Sequence, residues 1–512
     1  MFTTVRSYAL DGLDGFSVEV EVFSQNGLPS LDIVGLATSA VKESKERVRS
    51  AITNSGFNFG SHKTVINLAP ADVRKEGSGL DLAIAVGYLA AVGQIPYGRI
   101  GEYVFLGELS LDGTVRRING VMPLLLSAVQ SGYKKFVVPF DNKEEAAYVQ
   151  GAEVYAVRSL SEAVNLLIGL KVLPIETRSY DTSDRGFVEV DISEIKGQST
   201  AKRGLEIAVA GAHNLLMCGS PGTGKTMLAK CVTGIMPKMT FEEGVEVTKI
   251  HSISGLINPE EGMVKRRPFR SPHHTASILS LTGGGNKATP GEVSLAHNGV
   301  LFLDEMPEYN RQALEALRQP LEDGRISIAR VNKSVVYPAR FMLIASMNPC
   351  PCGYYGSEVR ECTCTQREIL HYVSKISGPL LDRIDLYVTV DNIEYKEFRS
   401  ARREENSATV RERVEKAREI QWNRFKGRGI YTNAQMNNAM IKEFCKIDDE
   451  SEELLKYAFE SRNFSPRTAM RILKTARTIA DIDGNDDISS ENVAEAIRYK
   501  TVDKKEMILG WH

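Results

Sequence analysis

Over the first 170 residues the apolar positions fall into two kinds of run. Strand-like runs at Phe16–Phe23, Thr64–Leu68, Tyr103–Leu106 and Lys135–Val138 alternate with helical ones at Thr38–Ser55, Leu80–Val92 and Met122–Ser131. That alternation predicts a mixed α/β domain over residues 1–170. Residues 171–190 lose the periodicity, gain Ser, Thr and Asp, and read as a linker. From Asp191 short, continuously apolar runs take over at Asn214–Cys218, Val300–Leu303 and Phe341–Ala345, each followed by a turn. Such runs suit the central strands of a parallel sheet covered on both faces, placed here over residues 191–392. Residues 393–512 carry helical periodicity: charged at Ala401–Lys426, then amphipathic at Glu452–Phe459, Thr468–Ala480 and Ser490–Tyr499. The segment Asp487–Glu491 has the composition of a helix entry cap.

Composition narrows the class. A 512-residue chain with 42% hydrophobic and 25% charged residues is an ordinary globular protein of about three domains. A net charge of −2 excludes a uniformly basic nucleic-acid coat, although not local basic patches. No apolar stretch reaches the ~20 residues of a membrane span, and the longest, Leu82–Val92, reads as a buried helix. The first ten residues lack the charged start and apolar core of a signal peptide. Seven cysteines do not make a secreted disulfide framework, so a soluble cytoplasmic protein without a membrane partner is expected.

The chemistry is concentrated after residue 190. Gly219, Ser220, Pro221, Gly222, Thr223, Gly224, Lys225 and Thr226 complete the pattern G-x-x-x-x-G-K-[ST] between an apolar strand and a helix. The glycines let backbone N–H groups approach phosphate oxygens, Lys225 supplies a charge to the β- and γ-phosphates, and Thr226 offers a hydroxyl to Mg²⁺. Val300–Leu303 runs into Asp304 and Glu305, read as the Mg²⁺ carboxylate and the group that polarises the attacking water. A third strand ends at Asn348, positioned to orient that water; a plain turn residue before Pro349 is the simpler alternative. Arg383, in an apolar setting, reads either as an arginine finger inserted into a neighbour's ATP site or as a buried partner of Asp382 or Asp385. A finger working between subunits requires a ring. Arg467 opens a helix and is read as reaching the γ-phosphate on lid closure, or as a solvated helical arginine.

Cys350, Cys352, Cys362 and Cys364 form two C-x-C pairs in one short stretch. Four thiolates in a loop suit a structural Zn²⁺, with His371 as a substitute ligand; four reduced thiols are the alternative. Arg325–Tyr337 alternates polar and apolar residues around Val331-Asn332-Lys333 and reads as a β-hairpin with a basic tip. His273 and His274, adjacent in sequence, would point apart on a helix or strand and so do not suggest a metal pair.

The order of these motifs resembles that of the AAA+ ATPases. The segments Phe269–Ser277, Pro290–Gly299 and Leu317–Gly324 are similar to the Mg-chelatase-type branch, and together with the N-terminal domain the whole chain resembles the YifB/ComM family. The resemblance implies an α/β AAA+ P-loop sheet with a helical lid, preceded by a Lon-protease-like α/β domain. It places Ile195 and Gly197, in the entry segment Asp191–Gln198, near the adenine. It further implies a homo-hexameric ring and, for ComM-type members, a DNA helicase that promotes branch migration of recombination intermediates during natural transformation, on single-stranded or branched DNA. The basic segment with Arg266, Arg267 and Arg270, and the hairpin with Arg330 and Lys333, then fall at the ring pore as DNA-contact candidates; solvated surface charge, or pairing with Glu322 and Asp323, is the alternative. A chelatase-like motor remodelling a protein partner, and a scaffold without catalysis, are the competing readings.

The N-terminal domain resembles the Lon peptidase domain. Lys75–Leu82 matches the segment that carries the nucleophile in active members, which puts Gly79 where the serine stands and Ser78 one place before it. Met122 falls where the catalytic lysine stands. Both halves of a Ser–Lys dyad are therefore missing, and a non-peptidase scaffold is expected.

Overall fold

The computed structural model describes all residues except 37–38, 74, 76, 171, 182–188, 286–287, 330–333, 359, 394, 396–403, 463 and 501–512. The chain forms two compact units: residues 1–182 with 240–265, and residues 183–239 with 266–512.

Unit 1 is built on a seven-stranded mixed sheet. Its order is Ser30–Val34, His62–Ala69, Asp14–Asn26, Phe2–Asp11, Tyr103–Phe105, Lys135–Pro139 and Glu153–Val157. The first two strands of the chain form an antiparallel hairpin whose two-residue turn pairs Asp11 with Asp14. The apolar run near residue 82 is the helix Asp81–Ala91, buried along its whole length. The helix Phe241–Ile253, entered through a Thr240/Glu243 capping box, belongs to this unit. Phe241, Val245 and Met263 pack in a core with Val121, Leu125 and Val149. The segment 240–265, which the sequence places inside the ATPase core, thus completes the apolar core of the N-terminal domain.

Unit 2 carries a five-stranded, all-parallel sheet in the order Phe269–Arg270, Val300–Leu303, Met342–Met347, Leu215–Cys218, Leu386–Thr389. Side chains alternate between two cores. Leu215, Met217, Val300, Phe302 and Ile344 face one; Leu216, Leu301, Leu303, Leu343 and Ala345 face the other. Both faces are covered, which is why these strands read as unbroken apolar runs. The strands Leu215–Cys218 and Met342–Met347 end side by side, with the Gly219 N–H donating to Met347 O at 3.3 Å.

The helices that follow include Ser407–Phe425, Asp449–Arg462, Pro466–Asp483 and Ser490–Lys500. The last is capped by Ser489, whose hydroxyl accepts from Asn492 N. Asp385, at the foot of the last strand, accepts from Arg471 and from Asn214 N. Burial works against its charge, but Arg471, His213 and Lys500 hold its carboxyl well below the usual carboxylate range. Asp481 gathers Arg424 and Arg477 in the same helical layer. No helix among the described residues is long and apolar enough to cross a membrane.

Candidate functional site

The phosphate loop grows directly out of the sheet. Leu215–Cys218 is fully buried, so the chain leaves the core at Gly219 and must turn into the helix Lys225–Ile235. Gly222 and Gly224 take left-handed φ values of 83° and 90°, which L side chains resist. That turn wraps the loop around the Lys225 ammonium. Its Nζ donates to Gly219 O at 2.7 Å, Ser220 O at 2.9 Å and Asn348 Oδ1 at 3.2 Å. Burial lowers the Lys225 pKa, so the loop holds a partly desolvated cation. A phosphate that met this group would offer it the counter-charge the site lacks.

Thr226 and Asp304 meet across the strand ends, the Thr226 hydroxyl donating to Asp304 Oδ2 at 2.9 Å. A hydroxyl and a carboxylate side by side are the hard oxygen ligands that Mg²⁺ takes, one or two per protein with the rest from phosphate and water. Asp304 Oδ1 accepts from the Ser346 hydroxyl. The Glu305 N–H is shared between Ser346 Oγ at 3.1 Å and Asp304 Oδ1 at 3.2 Å. Glu305 itself has φ +51°, which turns its half-exposed carboxylate away from the strand line. The structure therefore brings Lys225, Thr226, Asp304, Glu305 and Asn348 together from three adjacent strand ends, where parallel sheets bind ligands.

Three contacts are not legible in the sequence. Ser346 is the one hydroxyl side chain in the buried strand Met342–Met347, and its partners are not visible from its neighbours. His274 places Nδ1 3.8 Å from the Glu305 carboxylate. Its ring and that of His273 lie 4.1 Å apart at 34°. The two histidines thus face the same way, contrary to expectation, because they sit in a turn and not in a helix or strand. The third is Glu322, which binds Arg383; the guanidinium also donates to Pro379 O at 2.7 Å. Arg383 pairs with neither Asp382 nor Asp385. Arg467 lies 3.7 Å from the same Glu322, so both arginines meet one carboxylate that is not part of the Lys225 cluster. Arg383 and Glu322 line a cleft of about 600 Å³ with Glu315 and Arg318.

Ile195 is buried, and the Gly197 N–H donates to Glu404 Oε1 at 3.3 Å. Two of the expected DNA contacts are held by internal partners. Arg267 donates to Pro237 O at 2.7 Å and Asn298 O at 2.8 Å. Arg270 makes a two-pronged pair with Glu292 at 2.6 and 2.8 Å. Both planar forks find acceptors within the unit, so neither is available to a phosphate without breaking them. Arg266 is exposed. The hairpin forms as Arg325–Ala329 paired with Ser334–Pro338; Arg330 and Lys333, expected at its tip, lie outside the described residues.

In unit 1, Ser78 donates its hydroxyl to Glu108. Met122 is buried, and its N–H donates to Glu145 at 2.8 Å. The four cysteine sulfurs converge within 4.8 Å of one another, without His371.

Three family models match the chain. "Magnesium chelatase, subunit ChlI" covers residues 191–398, its C-terminal model covers 404–500, and "Subunit ChlI of Mg-chelatase" covers 18–142. The chain is 42% identical to competence protein ComM of Haemophilus influenzae, over 97% of each chain. It is also 42% identical to the protein YifB of Escherichia coli, over 98% of this chain and 97% of that one. Lon protease 2 of Bacillus subtilis is 28% identical over 166 residues, 30% of each chain.

Proposed function

The chain belongs to the YifB/ComM family of Mg-chelatase-like AAA+ ATPases, and we propose that it is a hexameric motor that couples ATP hydrolysis to movement on single-stranded or branched DNA. The observation that carries the ATP half is the convergence of Lys225, Thr226, Asp304, Glu305 and Asn348 at adjacent strand ends. The DNA half rests on 42% identity, over 97% of each chain, with a competence protein.

In this reading ATP with Mg²⁺ supplies a phosphoanhydride whose γ-phosphoryl is transferred to water. Thr226 and Asp304 hold the metal, and Ser346 fixes the orientation of the Asp304 carboxylate. The N–H groups of residues 219–224 and the Lys225 ammonium take the phosphate charge. Glu305 accepts the proton of the attacking water, and Asn348 orients that water. His274 holds Glu305 in place between turnovers. Ile195 and Gly197 flank the adenine. Arg383 reaches a neighbouring subunit's γ-phosphate once it leaves Glu322, and Arg467, beside the same carboxylate, works from the same side. Arg266, with Arg330 and Lys333 at the hairpin tip, tracks the DNA backbone. The N-terminal unit, with Gly79 and Met122 where the Lon resemblance expects serine and lysine, serves assembly or substrate contact in place of peptidase chemistry.

The test is branch migration and strand displacement on synthetic four-way and forked DNA by the full chain. Unwinding by the wild type, lost in Lys225→Ala and Glu305→Gln, is the expected result. Robust hydrolysis with no action on any DNA would favour the second reading, a motor that remodels a protein partner, for which the chelatase models over residues 191–398 and 404–500 speak.

A further inference from the structure

The loop between the strand Met342–Met347 and the helix Gln366–Ser374 carries four thiols with a defined geometry. Cys350 Sγ lies 3.3 Å from Cys352 Sγ and 3.6 Å from Cys362 Sγ; Cys352 Sγ lies 3.6 Å from Cys362 Sγ. The fourth sulfur, of Cys364, falls with them inside a 4.8 Å sphere of mutual distances. A disulfide needs about 2.05 Å between sulfurs, and no pair here approaches that. A tetrahedral ion with Zn–S bonds of about 2.3 Å needs S···S edges near 3.8 Å. The cluster has the size of the second arrangement.

The backbone is also arranged for thiolates. The N–H groups of Cys352, Tyr355 and Cys364 donate to Cys364 Sγ, Cys350 Sγ and Cys362 Sγ at 3.3–3.4 Å. Donors aimed at sulfur disperse the negative charge that four deprotonated cysteines would concentrate. Cys350 is buried while the other three are half-buried, which leaves an entry path. A soft all-sulfur set selects Zn²⁺ over the hard Mg²⁺ of the nucleotide.

The loop touches the ATP site at two points. Asn348, two residues before Cys350, accepts from the Lys225 ammonium at 3.2 Å. Gly353, directly after Cys352, lies against the phosphate loop: a Cβ there would sit 2.6 Å from the Cγ and Cδ of Pro221. Its φ of +86° aims the backbone into that contact.

We propose that Cys350, Cys352, Cys362 and Cys364 bind one Zn²⁺, and that this ion is a positioning element of the ATP site, holding Asn348 and the Pro221 turn in register. Binding takes one Zn²⁺ and releases four thiol protons, with no change of oxidation state. The positioning half rests on the ATP-site reading; the metal half does not.

The experiment is metal analysis of the full chain purified under reducing conditions, followed by removal and return of the metal. One zinc per chain is expected, and exchange for Co²⁺ is expected to give the absorption of a tetrahedral all-thiolate site. Cys362→Ser and Cys364→Ser should lose both signals. Because those variants risk misfolding, wild-type protein is also stripped with a zinc chelator. Stripping should lower kcat/KM for ATP by about tenfold or more, and Zn²⁺ should restore it. Lys225→Ala should keep its zinc and its cobalt spectrum while losing ATP binding, which separates failure of the metal site from failure of the ATP site. No bound metal, iron in place of zinc, or a cobalt spectrum unchanged in Cys362→Ser and Cys364→Ser would overturn the metal site. Unchanged ATP kinetics after complete stripping would overturn the positioning role.

Discussion

Gly219→Ala tests how tightly the phosphate loop is bound to the sheet. A Cβ at Gly219 would lie 2.2 Å from the carbonyl oxygen of Val390 and 3.1 Å from Thr223 Oγ1. The first partner is backbone, in a strand end already anchored by Val390 N donating to Cys218 O at 2.8 Å. An ordinary C···O contact is wider by about 1 Å, so a strand end or the loop must move. Overpacking costs about 1–3 kcal/mol and occasionally more, and a clash with backbone on both sides belongs at the upper end of that range. Gly222 and Gly224 make the contrast, because a Cβ at either meets nothing within 4 Å. Alanine there costs only the left-handed conformation, about 1–2 kcal/mol. In urea denaturation of the nucleotide-free protein, Gly219→Ala should lower the midpoint of the ATPase unit well below Gly222→Ala and Gly224→Ala. It should also abolish binding of a fluorescent ATP analogue. Wild-type stability and binding in Gly219→Ala, or a reversed order among the three, would refute the close approach.

Other perturbations separate the remaining roles. Arg383→Ala should lose about 10³–10⁵ in turnover, and mixing it with Lys225→Ala should recover some, because mixed rings contain intact interfaces; no recovery would count against a finger acting between subunits. Ser346→Ala removes the donor to Asp304 and the acceptor for Glu305 N, so Mg²⁺-dependent turnover should fall about 10–100-fold, read as a raised Mg²⁺ requirement; an unchanged Mg²⁺ titration would remove Ser346 from the site. Burial raises the Glu145 pKa, against the donors Ser252, Met122 N and Asn142. A raised carboxyl pKa gives stability that is present below the unfolded value and lost as pH rises through the folded one. Glu145→Gln should therefore flatten the loss of stability that sets in as pH rises above the ordinary carboxyl range, and a variant that steepens it would reverse the sign.

Much of the ATP site was legible because its residues lie at the ends of short apolar strands, where local pattern and motif coincide. Val300–Leu303 is bounded to the residue for that reason, and the cap signal in Asp487–Glu491 falls at the entry to the helix Ser490–Lys500. What escaped depends on contacts between residues distant in the chain. Nothing local in Phe241–Ile253 says which core receives it; Val121 and Val149, more than ninety residues away in the chain, pack with its Phe241 and Val245. Arg267 and Arg270 look basic in sequence, yet the acceptors that hold them, Asn298 O and Glu292, come from a later segment. Ser346 carries no signal beyond a polar residue in its place, and Glu322, expected as a partner of the basic segment or hairpin, pairs instead with Arg383, because these roles follow from the strand order and from residues distant in the chain. The rings of His273 and His274 lie together because the chain turns there, where the divergence of neighbours on a helix or strand does not apply.

The most direct measurement is steady-state ATP hydrolysis by the purified full chain, with and without single-stranded and branched DNA, with Glu305→Gln as control. A DNA-driven ATPase predicts basal turnover that rises strongly with DNA and vanishes in the Glu305→Gln protein, which still binds ATP. Hydrolysis that ignores every DNA tested, or that survives in Glu305→Gln, would contradict it.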